Sequence, residues 1–288
     1  MQLGVFLQRG NSKVSFNSKK SRGISLAGFY ALALVFSFGA KSSAAEPEIK
    51  NFPGDVIRQT GRVFTSPARL GLSDGAWLAG LAGGGLLLYS MDGQIRRAFK
   101  KNKSSFNDSV SAALEKFGDG GYELGFLAVY GAAGYFLKKS EMTGTAMLAA
   151  ESFAAADAVG TVVKIAAGRA RPYAGEGKGS FRPFINKTSH TSFPSGHTTS
   201  IFSVASVFAA RYESPAVGII AYSLASGVAM QRLYGGKHWA SDAFASAALG
   251  TAVGRAVVKS AEAAKEKTAY LLPVFAPGYA GAAAVLNF

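Results

Sequence analysis

A chain of 288 residues that is 49% apolar and 17% charged can bury a sizeable core, and without cysteine it has neither disulfides nor a thiolate centre. Its net charge of +14 is partly local: residues 1–45 hold Arg9, Lys13, Lys19, Lys20, Arg22 and Lys41 and no acid, and without those six the surplus is +8. Such a surplus suits phosphorylated substrates or lipid headgroups; no nucleic acid is expected as a partner.

Residues 1–45 read as a signal peptide or N-terminal anchor. A basic segment ends in Lys19-Lys20-Ser21-Arg22, an apolar run spans Ile24 to Ala40, and Ser43 and Ala45 are placed for cleavage after Ala45. The rest of the chain is then exported, on the periplasmic side of a bacterial envelope. Residues 46–115 are expected as an N-terminal helical extension, 116–265 as the core and 266–288 as a hairpin tail. The extension holds a short amphipathic helix within 46–75, an apolar stretch at 76–91 and a charged surface segment from Asp92 to Asn107. In the core, apolar stretches at 124–137, 198–211 and 216–230 alternate with loops. A longer helix at 141–167 carries Glu151 and Asp157 on its apolar face, and a last helix runs from Trp239 to about Lys265. Pro215 suits a first helical turn. The tail, Leu271 to Phe288, reads as a hairpin about Pro277-Gly278. The fold class is therefore all-α, a helical bundle with a small C-terminal β-hairpin. The apolar stretches at 76–91, 124–137, 198–211 and 216–230 are 14–16 residues each. A membrane span needs about 20, so membrane association is expected, and spanning is left open.

Three clusters carry chemistry. In the first, Lys164 and Arg171 are seven apart, two helical turns, so both cations point the same way before Pro172 ends the helix. The alternative is a solvated basic face. In the second, Pro194-Ser195-Gly196-His197 opens an apolar helical run. Helix-start N–H groups attract phosphate, Ser195 adds a hydroxyl, Gly196 admits close approach, and His197 is placed to protonate a leaving oxygen. The alternative is an N-cap serine beside an ordinary histidine. In the third, His238 and Asp242 are four apart at a helix start, so the carboxylate holds Nδ1–H and leaves Nε2 free to attack. Arg232 lies before them, its fork matched to phosphate oxygens. The alternative is a helical His–Asp hydrogen bond. His190 fits none of these clusters.

The ordered pattern K-x6-RP, PSGH, R-x5-H-x3-D resembles that of the type 2 phosphatidic acid phosphatase superfamily, which also contains bacterial acid phosphatases and vanadium-dependent haloperoxidases. The motifs cover residues 164–242, with compatible helices from about 120 to 262. Gln231 stands where that family usually has serine. The resemblance implies a metal-independent phosphomonoesterase. Lys164, Arg171, Arg232, Ser195 and Gly196 bind phosphate, His238 is the nucleophile that forms a phosphohistidine, Asp242 orients it, and His197 is the acid and then the base. No metal or other cofactor is expected; vanadate fits as an inhibitor, or as the cofactor of a haloperoxidase. The substrate is expected to be a lipid phosphate or pyrophosphate, or a small soluble ester. A haloperoxidase and a non-catalytic envelope protein binding anionic lipid are the competing readings.

Overall fold

The computed structural model describes residues 52–65, 75–185, 187–212, 214–266, 269–276 and 279–286. The expected signal peptide or anchor at 1–45 and the turn residues Pro277 and Gly278 lie outside them. Among the described residues eight α-helices follow in order: α1 Phe52–Thr65, α2 Gly75–Lys101, α3 Ser105–Phe117, α4 Gly120–Phe136, α5 Ser140–Ala167, α6 Gly196–Arg211, α7 Pro215–Tyr234 and α8 Ala240–Glu266. Strands β1 Ala269–Ala276 and β2 Tyr279–Leu286 pair antiparallel, with Ala276 opposite Tyr279. The expected all-α bundle with a C-terminal hairpin is the observed architecture.

Capping chemistry sets the boundaries near the site. Ser104 Oγ accepts the Asn107 N–H at 3.2 Å to start α3, and the Asp119 carboxylate accepts the Gly121 and Tyr122 N–H groups at 3.0 and 3.3 Å to start α4. Pro215 occupies the first turn of α7, where its missing N–H would have had no helical partner.

The core lies between α4, α5, α6, α7 and α8. Helix α6 is buried along most of its length although it carries Thr198, Thr199, Ser200, Ser203 and Ser206. Several of these hydroxyls are satisfied within the helix: Thr199 Oγ1 donates to Ser195 O at 2.9 Å, Ser203 Oγ to Ser200 O at 2.8 Å and Ser206 Oγ to Phe202 O at 2.7 Å. Helix α8 comes close enough that a Cβ on Gly250 would fall 2.3 Å from Thr199 O, and one on Gly254 2.4 Å from Ser203 O. Small residues four apart let two backbones touch in this way. Nearer the C-terminal end of α6, the rings of Tyr130, Phe208 and Tyr212 pack with centroids 5.3 and 6.1 Å apart. Such a pair contributes about 0.5–1.5 kcal/mol beyond its buried area.

The outer faces are different. Trp77, Leu86 and Leu87 on α2, Tyr135 and Phe136 at the end of α4, and Ile219 and Met230 on α7 are exposed. Helices α5, of 28 residues, and α7, of 20, are long and apolar enough to cross a membrane. The helices outrun the apolar stretches legible in the sequence: the 216–230 stretch becomes α7, Pro215–Tyr234. One expectation is corrected. Helix α2 continues to Lys101, and Asp92, expected on a charged surface segment, is 1% exposed.

Candidate active site

The three clusters meet at one end of helices α5 to α8. Helix α5 ends at Ala167. Gly168 then adopts a left-handed conformation with φ of 53°, and a Cβ there would lie 1.8 Å from Arg182 O, so no larger residue fits. Beyond it the chain runs extended along the 178–192 loop. Ala170 N–H donates to Ser180 O at 2.9 Å, Arg171 N–H to Ser189 O at 2.7 Å, and Ser192 N–H back to Arg169 O at 3.0 Å. Lys164 therefore lies on α5 and Arg171 outside it. This corrects the expectation that both share one helical face: the glycine ends the helix before Arg171 is reached. The two cations converge all the same, each acting electrostatically on both His197 and His238.

Ser195, fully buried, is the N-cap of α6. Its Oγ accepts from Thr198 Oγ1 at 2.9 Å, and its N–H donates to Ser246 Oγ at 2.7 Å. A Cβ on Gly196 would sit 3.4 Å from Lys164 Nζ, so the ammonium lies against the bare start of α6. His197 follows in the first turn, half-buried. The turn between α3 and α4 covers it: a Cβ on Gly118 would be 3.2 Å from His197 Cβ.

Arg232 occupies the last turn of α7, where Nη1 donates to Glu115 Oε1 and to Gln231 Oε1, each at 3.3 Å. Gln231, in the position usually held by serine, thus helps to hold the guanidinium. His238 sits buried in the turn before α8, and its Nδ1 is 2.5 Å from Ser192 O. A carbonyl only accepts, so Nδ1 carries the proton and Nε2 keeps its lone pair. Asp242 does not make this contact. Its carboxylate accepts Ser192 Oγ–H at 2.5 Å, Trp239 N–H at 2.9 Å and an N–H of Arg169. The expected direct His238–Asp242 hydrogen bond is corrected, because His238 precedes α8 and helical i,i+4 geometry does not apply to it.

The cations have donors to spare. Arg171 Nη2 donates to Thr191 Oγ1 at 2.9 Å, yet the Nε atoms of Arg171 and Arg232 are buried with no hydrogen-bond partner among the described residues. Among the described residues the Lys164 ammonium makes no hydrogen bond or ion pair. Buried charged donors without acceptors are unfavourable, and an oxyanion would satisfy both guanidinium Nε atoms, with the half-buried Lys164 ammonium as a further donor. Burial, followed by the charges of Arg232, Lys164 and Arg171 and opposed by Asp119, pushes His197 down to about 4. Burial and then Arg171 and Arg232 hold His238 well below the usual imidazole range. Burial lifts Asp242 to about 6 against the pull of Arg169, Ser192 and the Trp239 N–H. The arrangement offers a neutral, oriented imidazole and a second imidazole, both in the field of Lys164, Arg171 and Arg232.

His190 is buried in the 188–190 turn, between Ser189 Oγ at 3.1 Å and Glu176 Oε2 at 3.3 Å. Four residues around the site escaped the sequence reading: Asp92, Asp119, Arg169 and Ser192. Arg169 had a visible signal, since it sits between Lys164 and Arg171 in Gly168-Arg169-Ala170-Arg171.

Residues 145–266, which include all three clusters, match the model of the PAP2 superfamily. A lipid A 1-phosphatase of Porphyromonas gingivalis is 38% identical over 78 residues, 26% of this chain and 17% of that protein. A lipid A 1-phosphatase of Rhizobium johnstonii is 37% identical over 91 residues, 31% of this chain and 36% of that protein. The chain thus spans well under half the length of these curated relatives. Among solved structures, the first transmembrane PAP2-type phosphatidylglycerolphosphate phosphatase from Bacillus subtilis aligns with a TM-score of 0.52 at 24% identity, covering 64% of this chain and 96% of that one. That likeness is one of fold.

Proposed function

We propose, from the match of residues 145–266 to the PAP2 superfamily model, that this chain is a membrane-bound phosphatase of that superfamily, hydrolysing lipid phosphate monoesters through a phosphohistidine. The observation that carries the reading is the pair of unpaired buried donors, Arg171 Nε and Arg232 Nε, which with the charge of Lys164 act on a histidine whose Nδ1 is tied to Ser192 O.

In this reaction the phosphate lies among Lys164, Arg171 and Arg232, with Ser195 Oγ–H and the Gly196 N–H at the start of α6 as further donors. The lone pair of His238 Nε2 attacks phosphorus, the bond to the ester oxygen breaks, and protonated His197 gives its proton to the departing oxygen. The phosphate is then on Nε2. In the second half, His197 takes a proton from water, the water oxygen attacks phosphorus, and the P–N bond breaks to return neutral His238 and release phosphate. Charge building on five-coordinate phosphorus meets fixed cations in a buried site, where they act strongly and need no reorganisation. Vanadate, which takes the same shape, competes for this site.

The lipid part of the reading rests on the exposed apolar faces of α2, α4 and α7 and on the lengths of α5 and α7, which cross the bilayer in this scheme. The lipid A 1-phosphatases to which the chain is similar point to the same substrate class. With residues 1–45 as the export signal or anchor, the site faces the periplasm. The test is phosphate release from a panel of lipid and soluble phosphate esters, with the detergent-solubilised full chain and EDTA present. Lipid esters are expected to show the higher kcat/KM, unaffected by the chelator. Release from none of the esters would sink the phosphatase reading. Equal kcat/KM for soluble and lipid esters would sink its lipid part, and loss of activity in EDTA its metal independence.

A further inference from the structure

We infer that Asp92 of α2 is a positioning residue for His238, acting through Arg169, Asp242 and Ser192. The inference rests on the phosphatase reading and adds to it a helix outside the matched residues 145–266.

Asp92 is the buried residue of α2, a helix otherwise exposed or half-exposed among its described side chains. Its Oδ2 accepts from Arg169 Nη2 at 2.8 Å and from Ser241 Oγ at 2.6 Å, and its Oδ1 accepts the Ser241 N–H at 2.9 Å. Arg169 is 2% exposed. Its Nε and Nη2 donate to Lys178 O at 3.1 and 3.0 Å, and its Nη1 to Ser241 Oγ at 2.8 Å and to Asp242 Oδ1. With the bond to Asp92, each of the five guanidinium donors has an acceptor. The rings of Tyr89, Phe181 and Trp239 enclose the guanidinium at 5.1, 5.3 and 5.7 Å. The group therefore has one orientation.

The other side of Asp242 reaches the nucleophile. Its Oδ2 holds Ser192 Oγ at 2.5 Å, and the carbonyl of that serine accepts Nδ1–H of His238 at 2.5 Å. A continuous set of hydrogen bonds thus runs from α2 to the attacking imidazole: Asp92, Arg169, Asp242, Ser192, His238. Two buried carboxylates on one buried guanidinium are weak as a stability device, since desolvation opposes their attraction. As an alignment device they are apt, because removing the Asp92 carboxylate takes an acceptor from Arg169 and from both the N–H and the hydroxyl of Ser241, which loosens the grip on Asp242. None of the phosphate-binding cations Lys164, Arg171 and Arg232 is a member of this set. Loss of Asp92 should therefore spare phosphate binding and slow the chemical step.

The test uses the full chain in detergent, with kcat and KM on a lipid phosphate and the Kd of inorganic phosphate as separate readouts. Asp92→Asn is expected to lower kcat by about tenfold or more, as misplacement of a reacting group does, with KM and the phosphate Kd within about threefold. Adding Asp92→Asn to Asp242→Asn should bring little further loss, since both act through the same chain. If Asp92→Asn does not fold, Ser241→Ala, which removes a hydroxyl shared by Asp92 and Arg169, should give a smaller loss confined to kcat. An unchanged kcat, a kcat loss matched by equal loss of phosphate binding, or additive losses in the double variant would each overturn the inference while the active parent enzyme leaves the phosphatase reading standing. A parent that binds phosphate but releases none from any ester would overturn both.

Discussion

Around Asp242 lie a second carboxylate, a guanidinium, a buried histidine and several serines. On the outer faces of α2, α4 and α7, tryptophan, leucine and phenylalanine stand open. The region around Asp242 is buried and polar, beside an apolar core, and much of the periphery is oily. A bilayer explains the periphery, since lipid tails welcome apolar side chains. It also demands that polar groups inside satisfy one another. Specificity therefore differs between the two regions. At the periphery one apolar side chain serves about as well as another. Around Asp242 the groups Asp92, Arg169, Ser192 and His238 each have a partner at hydrogen-bond distance, so substitutions there should act through geometry.

The sharpest break is His238→Ala, which should lower turnover by at least about 10⁴-fold, as loss of a nucleophile does, and abolish the phosphoenzyme trapped by rapid quench of labelled substrate. Turnover near that of the parent would refute the nucleophile assignment. Next comes His197→Ala, expected to slow alkyl esters by about 10²–10⁴-fold and nitrophenyl esters much less, because a good leaving group needs no proton. Its pH dependence has a definite sign. The general acid must hold a proton, and His197, pushed down to about 4 in the empty site, loses it as pH rises. Since kcat/KM reports the free enzyme, it should fall with increasing pH, and His197→Ala should remove that slope. A slope unchanged in the variant would assign it to another group.

Backbone geometry at the centre gives the third expectation. Gly168→Ala forces a side chain onto Arg182 O at a left-handed position, and should destabilise the fold by about 3 kcal/mol or more, read as a drop in Tm in detergent. The smallest effect is expected at the periphery. Phe136, 80% exposed, should tolerate Phe136→Ser within about 0.5 kcal/mol and without loss of kcat. A large fall in Tm there would mean that this face packs on protein, and the contrast between centre and periphery would fail.

Local pattern was enough to read some of this. The helices around 141–167, 198–211, 216–230 and 239–265 were legible because their apolar periodicity is local, and so was the N-cap at Ser195, which opens α6. Lys164, Arg171, His197, Arg232 and His238 were identifiable by residue type and order, and the structure brings them to one end of the bundle. The reasons attached to two of them did not hold. Arg171 reaches the site along an extended segment after Gly168, and His238 is aimed by Ser192 O.

What the sequence by itself determined was the helical content, the chemical inventory and its order along the chain, because propensity, periodicity and motif spacing act over a few residues. What the tertiary structure decided was who holds whom. Ser192 and His238 are 46 apart in sequence, Arg169 and Asp242 73, and Asp92 and Ser241 149. Hydrogen bonds over such separations depend on how α2, the 178–192 loop and α8 come together. Alternation of apolar and polar residues along a helix carries no trace of that. Asp92 is the plainest case: beside Arg96 and Arg97 it reads as one more surface charge, and it became the most deeply buried residue of its helix only when α8 closed over it.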